Sequence, residues 1–203
     1  MLEKKIALLT SVTFNNIGNG FIDLGAEAAL MKALPLNAEL FKVSSNANFA
    51  ATMGQMFMLK ENPIINWLWV HTMQRAAKKL HDRSYKTVKT QNIFSMASMV
   101  KCDYFIIPGC VLTVPFFTIY GDLIKRKAEQ GSKIIFLGAS GNFYTEYEVK
   151  FVSEYLRKLQ PYAIMTRDSL AYKYYANFTK NSYNGIDNVF FVNLLNTVCS
   201  IEY

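Results

Sequence analysis

The stretch that decides the fold is Lys5 to Leu34, KIALLTSVTFNNIGNGFIDLGAEAALMKAL. Its apolar run Ile6–Leu9 reads as a buried strand, and the polar turn Asn15-Asn16-Ile17-Gly18-Asn19-Gly20 follows it. Beyond the turn, Ile22, Ala26, Ala29, Leu30, Ala33 and Leu34 recur at helical spacing and give a helix one apolar face. A strand, a tight glycine turn and a helix together open a βαβ unit. Backbone N–H groups at such a turn are placed to meet an anion or a sugar hydroxyl.

The same plan repeats downstream. Ala38–Val43, Asp103–Ile107, Lys133–Leu137, Tyr162–Thr166 and Val189–Val192 read as strands. Thr113 as N-cap and Pro115 in the first turn start a helix that stops at Gly131. Thr145-Glu146-Tyr147-Glu148 has capping-box spacing, with Val149, Val152, Leu156 and Leu159 on the helical face behind it. Ser169–Asn177 is a short helix that Asp168 can cap. This alternation predicts an α/β fold: a Rossmann-like, doubly wound, mostly parallel sheet with right-handed crossovers. One domain is expected over residues 1–193, with an irregular insertion at about 44–90 and an unpartnered tail over 194–203. Ligands of such sheets bind at the strand C-terminal ends. Topology therefore brings Asn16–Gly20, Gly109–Thr113, Gly138–Asn142 and Arg167–Asp168 to one edge.

Composition narrows the class. With 51% hydrophobic and 18% charged residues over 203 positions, the chain can bury one good core. No apolar run reaches membrane-spanning length, and the N-terminus reads as a strand rather than a signal peptide. The three cysteines and two histidines, His71 and His81, have neither disulfide-framework nor metal-ligand spacing, so a reduced, cytoplasmic protein without a metal is expected. The net charge of +7 is uneven: Arg75, Lys78, Lys79, Arg83, Lys86 and Lys89 crowd together behind Trp67 and Trp69, on a helix expected from about Pro63 to Leu80. Two readings of that segment stand, a packed helix with a solvated basic face or a peripheral membrane contact. No nucleic-acid-binding motif accompanies the charge.

Several motifs bear on chemistry. Gly18-Asn19-Gly20 falls short of a dinucleotide fingerprint, because Asp23 stands at the third glycine position and Gly25 comes two residues late. Asp23 and Glu27 place negative charge early in the helix, against a pyrophosphate. No cofactor is expected. The amides of Asn15, Asn16 and Asn19 suit hydroxyl-rich ligands, while a tight turn with Asn19 as N-cap explains the same residues without one. Arg167 either pairs with a carboxylate or binds an anionic ligand. Ser140 lies in a close-approach loop without a histidine partner, and Cys110 reads as a small buried residue.

Five segments in order, Asn16–Gly20, Tyr104–Gly109, Phe136–Gly141, Thr166–Ser169 and Gly185–Asp187, resemble the motifs of the polysaccharide pyruvyl transferase family. The resemblance runs along nearly the whole chain and corresponds to the N-terminal half of family members. It implies half of a two-domain, GT-B-like enzyme that moves the enolpyruvyl group of phosphoenolpyruvate onto a sugar during exopolysaccharide synthesis. Phosphoenolpyruvate is then a co-substrate, and a companion domain or second copy completes the cleft. Asn19 stands where the family carries an acid, and Cys110-Val111 follow Gly109 where glycine is usual. Carried over, the substrate-binding residues are Asn16, Gly18, Asn19, Gly109, Gly138, Ser140, Arg167 and Asp168; no general acid is identifiable. Two other readings remain, a non-catalytic glycan- or partner-binding domain and a nucleotide-dependent Rossmann enzyme.

Overall fold

The computed structural model describes residues 4–11, 17–35, 37–44 and 100–195. Strands β1 (Lys4–Thr10), β2 (Ala38–Ser44), β3 (Tyr104–Pro108), β4 (Lys133–Ala139), β5 (Ala163–Thr166) and β6 (Ser182–Asn184) form one sheet in the order β2-β1-β3-β4-β5-β6. Every pairing is parallel. This is a Rossmann-like doubly wound α/β fold, with its topological switch between β1 and β3.

Two apolar clusters show how the faces are covered. On one face, Ile6, Leu8 and Ile106 meet Ala26 of helix α1 (Ile17–Ala33), with Leu30 and Leu34 packed against them. On the other, Ala7, Leu9, Phe105 and Ile107 meet Phe117 and Ile124 of α2 (Val114–Glu129), Val152 and Leu156 of α3 (Glu146–Leu159), and Ala171 and Tyr175 of α4 (Ser169–Tyr175). Odd and even strand residues thus part to opposite faces, which is why the central strands are apolar throughout. Phe117 stacks on Tyr155 with ring centroids 4.4 Å apart, locking α2 to α3.

The helix ends follow local chemistry. The Thr113 hydroxyl accepts from the Phe116 N–H, and Gly131 (φ 89°) carries the chain out beyond α2. Asp168 accepts from the Ala171 N–H at 2.7 Å and starts α4. At α3 the Thr145 hydroxyl accepts from the Glu148 N–H, as the spacing predicts, but the Glu148 carboxylate reaches past the cap. It accepts from the N–H groups of Phe143 and Tyr144 instead.

Three expectations are corrected. Cys110 is not buried: it is exposed, and its thiol donates to the Gly141 carbonyl. Asn19 is not an N-cap: α1 begins at Ile17, so Asn19 lies inside its first turn, and its amide donates to the Ser11 carbonyl. Val189–Val192 is not a strand. The last strand among the described residues is Ser182–Asn184, and Asn188–Leu195 forms a 3-10 helix against α1. Residues 45–99, which hold nearly all of the expected insertion with Trp67, Trp69, both histidines and the basic run, lie outside the described residues, as do Asn15, Asn16 and residues 196–203. The sequence also reads as a short helix over Gln91–Lys101; of it only Val100 and Lys101 are described, and they are not helical. No described helix is long and apolar enough to cross a membrane.

Candidate functional site

The exits of β3, β4, β5 and β6 are joined by hydrogen bonds between residues far apart in sequence. Gly109 donates to the Leu137 carbonyl and accepts from the Ser140 N–H; the Leu112 N–H donates to the Ser140 carbonyl. The Arg167 N–H donates to the Ala139 carbonyl. Its guanidinium then bridges two loops: Nε donates to the Ser140 hydroxyl at 2.9 Å, and Nη1 meets Asp187 at 2.5 Å. Both Arg167 and Asp187 keep part of their side chains in solvent.

Asp187 also caps the 3-10 helix, accepting from the Val189 N–H. The Asn188 amide occupies the space a Gly138 side chain would fill and donates to the Leu137 carbonyl at 2.9 Å. Gly138 has φ 58°, a conformation that costs a side-chain-bearing residue about 1 kcal/mol or more. The β4–β5 register shifts between Phe136 and Ala139, so the strand is irregular where it enters this site.

Behind the β4 exit lies a second network. Tyr144, itself at φ 51°, donates its hydroxyl to Asp168 and accepts from the Gly141 N–H at 2.8 Å. Burial, with the Asp168 carboxylate adding, holds the Tyr144 phenol above its ordinary pKa, so it stays a neutral donor. Tyr175 is fully buried beside it, and its hydroxyl has no hydrogen-bond partner among the described residues.

The residues singled out in the sequence thus divide. Gly109, Gly138, Ser140, Arg167 and Asp168 belong to one bonded cluster. Gly18 lies exposed in the first turn of α1, the Asn19 amide donates to the Ser11 carbonyl, and Asn16 is outside the described residues. Ser140 is buried, and its hydroxyl supports Arg167. Asp187, Asn188, Tyr144 and Glu148 were not singled out as site residues. Asp187 lies within the last motif and is the carboxylate that Arg167 called for.

Many backbone donors of the described loops after β3, β4, β5 and β6 are already engaged. The N–H groups of Gly109, Val111, Leu112, Ser140, Gly141, Phe143, Tyr144, Arg167 and Gly185 all donate within the protein. Asp23 lies in the second turn of α1, is buried and accepts from the Ser11 N–H, and Glu27 pairs with Lys42. Gly25, read as a displaced fingerprint glycine, is where α1 meets the Asn188 backbone. Among the described residues no group of three or more His, Cys, Asp or Glu could hold a metal ion. No family model, curated protein or solved structure matches the chain.

Proposed function

We propose that this chain is a polysaccharide pyruvyl transferase-like protein whose sugar-handling site lies at the C-terminal edge of the sheet. One observation carries the reading. Of the five segments that resemble the family, the four beginning at Tyr104, Phe136, Thr166 and Gly185 are hydrogen-bonded to one another through Gly109, Ser140, Arg167 and Asp187. Motifs far apart in sequence have a joint purpose in one place.

In the proposed reaction the methylene of phosphoenolpyruvate takes a proton and becomes a methyl group. A sugar hydroxyl attacks the cationic carbon, a second hydroxyl closes the ketal, and inorganic phosphate leaves. The two hydroxyl protons balance the one gained by carbon and the one carried by phosphate. Cations must face the donor's carboxylate and phosphate. Arg167 is the candidate here, and the companion half supplies the general acid and further charge.

A second reading, a glycan-binding module without catalysis, draws on one feature. Arg167 is already paired with Asp187, and the nearby backbone donors are engaged. The deciding experiment measures phosphate release from phosphoenolpyruvate with galactose-, mannose- and glucosamine-containing acceptors, together with calorimetric titration of nucleotides. We expect acceptor binding, weak phosphoenolpyruvate binding and no turnover by the isolated chain. Micromolar affinity for NAD or ATP would sink both readings in favour of a cofactor enzyme; turnover by the monomer would overturn the need for a second half.

A further inference from the structure

The segment that follows β6 sits on the site as a ligand would. Asp187 lays a carboxylate on the Arg167 guanidinium, whose Nε is held by the buried Ser140 hydroxyl. One residue on, the Asn188 amide fills the space above Gly138 and donates to the Leu137 carbonyl at 2.9 Å. These are the contacts of an occupant with one anionic and one donating end, supplied by the chain itself. The segment is anchored at its start, where the Gly185 N–H donates to the Thr166 carbonyl at 2.8 Å. Beyond that anchor no apolar side chain of residues 186–192 is fully buried: Ile186 and Phe190 are exposed, and Val189, Phe191 and Val192 are half-buried. The backbone is a 3-10 helix over Asn188–Leu195, and such helices are uncommon beyond three or four residues because their hydrogen bonds are poorly aligned. Little apolar burial and weak backbone bonds mark a unit that opens on its own.

We infer that residues 186–192 are an autoinhibitory strap: Asp187 stands in for the carboxylate or phosphate of a ligand, and a free anion exchanges with it on Arg167. This deepens, and rests on, the reading of Arg167 as the cation that meets the donor. The Asp187 contact runs from Arg167 Nη1 to one carboxylate oxygen, because the other oxygen accepts from the Val189 N–H. A free carboxylate or phosphate brings two uncommitted oxygens to the guanidinium, which favours the exchange. Asp187 and Asn188 are neighbours in sequence, so withdrawal of the carboxylate draws the amide away from Gly138. The space over the Leu137 carbonyl then opens to the remainder of the ligand. The coupling is reciprocal: the factor by which the strap weakens an anion is the factor by which that anion opens the strap.

The test titrates the full chain with pyruvate and, separately, with inorganic phosphate at constant ionic strength, and follows amide exchange by NMR. Asp187→Asn keeps an acceptor for the Val189 N–H but loses the charge, so it isolates the competition. We expect the variant to bind at least one of the two anions roughly fivefold more tightly than the wild type, the factor a partly solvated ion pair accounts for. In the wild type, saturation with that anion should speed exchange at Val189 and Phe190, whose N–H groups both donate to Asp187, by the same factor. Gly185 should stay protected, and the effect should shrink in Asp187→Asn. A gain for pyruvate supports the strap with Arg167 as a carboxylate site; a gain for phosphate supports it with Arg167 as a phosphate site. Equal affinities in the two proteins, binding of neither anion, or binding that leaves Val189 and Phe190 exchange unchanged would overturn the strap. Should Asp187→Asn unfold, the wild-type exchange measurement decides by itself. The two proposals fail separately. Turnover by an assembled enzyme with the same phosphoenolpyruvate KM in wild type and Asp187→Asn removes the strap and keeps the transferase reading. Anion-coupled opening without turnover in any assembly supports the strap and removes the transferase reading.

Discussion

The Arg167 guanidinium is shared between the Ser140 hydroxyl and Asp187, so its two sequence-level explanations now make different predictions. As a structural tie it joins the β5 exit to the 3-10 helix. A partly solvated ion pair of this kind couples its partners by about 1 kcal/mol. Arg167→Lys, Asp187→Asn and the double variant, followed by denaturant unfolding, should return a coupling of that size, since a lysine cannot reproduce the fork. As a donor-binding cation, Arg167 is held back by Asp187. Asp187→Asn should then strengthen phosphoenolpyruvate binding several-fold in a titration. Unchanged affinity would leave Arg167 a tie and nothing more.

At the scale of elements, the contact between α1 and the 3-10 helix is the least expected feature of the fold. A side chain at Gly25 would overlap the Asn188 backbone, so the two helices approach as closely as they do only because Gly25 has none. Gly25→Ala, a change that favours an isolated helix by about 1 kcal/mol, should here destabilise the protein by about 2 kcal/mol or more. It should also disturb the site, because Asn188 is displaced from Gly138 and Leu137. Amide exchange should speed selectively along residues 188–195. A neutral or stabilising Gly25→Ala would show that this contact does not persist in solution.

For the molecule as a whole, the opposite end of the sheet carries a pH signature. Lys127 of α2 is fully buried, with its ammonium donating to the Val100 carbonyl and to Gln130. Burial pulls its pKa below the ordinary 10.5, with the neighbouring Cys102 thiol opposing. A folded pKa below the unfolded one means the unfolded chain binds more protons between the two values, so stability climbs with pH across that window. Lys127→Met should flatten this rise in unfolding free energy on the alkaline side, up to about pH 10.5, relative to the wild type. Identical pH slopes would place Lys127 in water. The same view of the whole explains how much was legible beforehand. Five of the six strands, the helices that follow them, three helix caps and the convergence of the loops after β3, β4 and β5 were readable, because each rests on local periodicity or on the handedness of parallel crossovers. The site's wiring was not: Ser140 and Arg167 are 27 residues apart, and Asn188 and Leu137 are 51 apart.

The sequence by itself determined the architecture, since apolar runs, caps and glycines act over a few residues. It also determined that the loops after β3, β4 and β5 would meet, since an all-parallel sheet leaves them only one edge. What only tertiary structure decided was the use of those loops. Val189–Val192 reads as a strand because a short apolar run has no telling period, yet packing on α1 makes it helical and leaves Phe190 in solvent. Asn19 reads as a cap because its short side-chain oxygen can accept from a helix's first N–H groups, yet the helix starts earlier and its amide turns back to Ser11. The loops after β3 and β4 read as placed to meet a ligand, yet many of their N–H groups are engaged within the protein. Whether a backbone donor is free depends on what lies within 3 Å of it in space, and no local pattern encodes that.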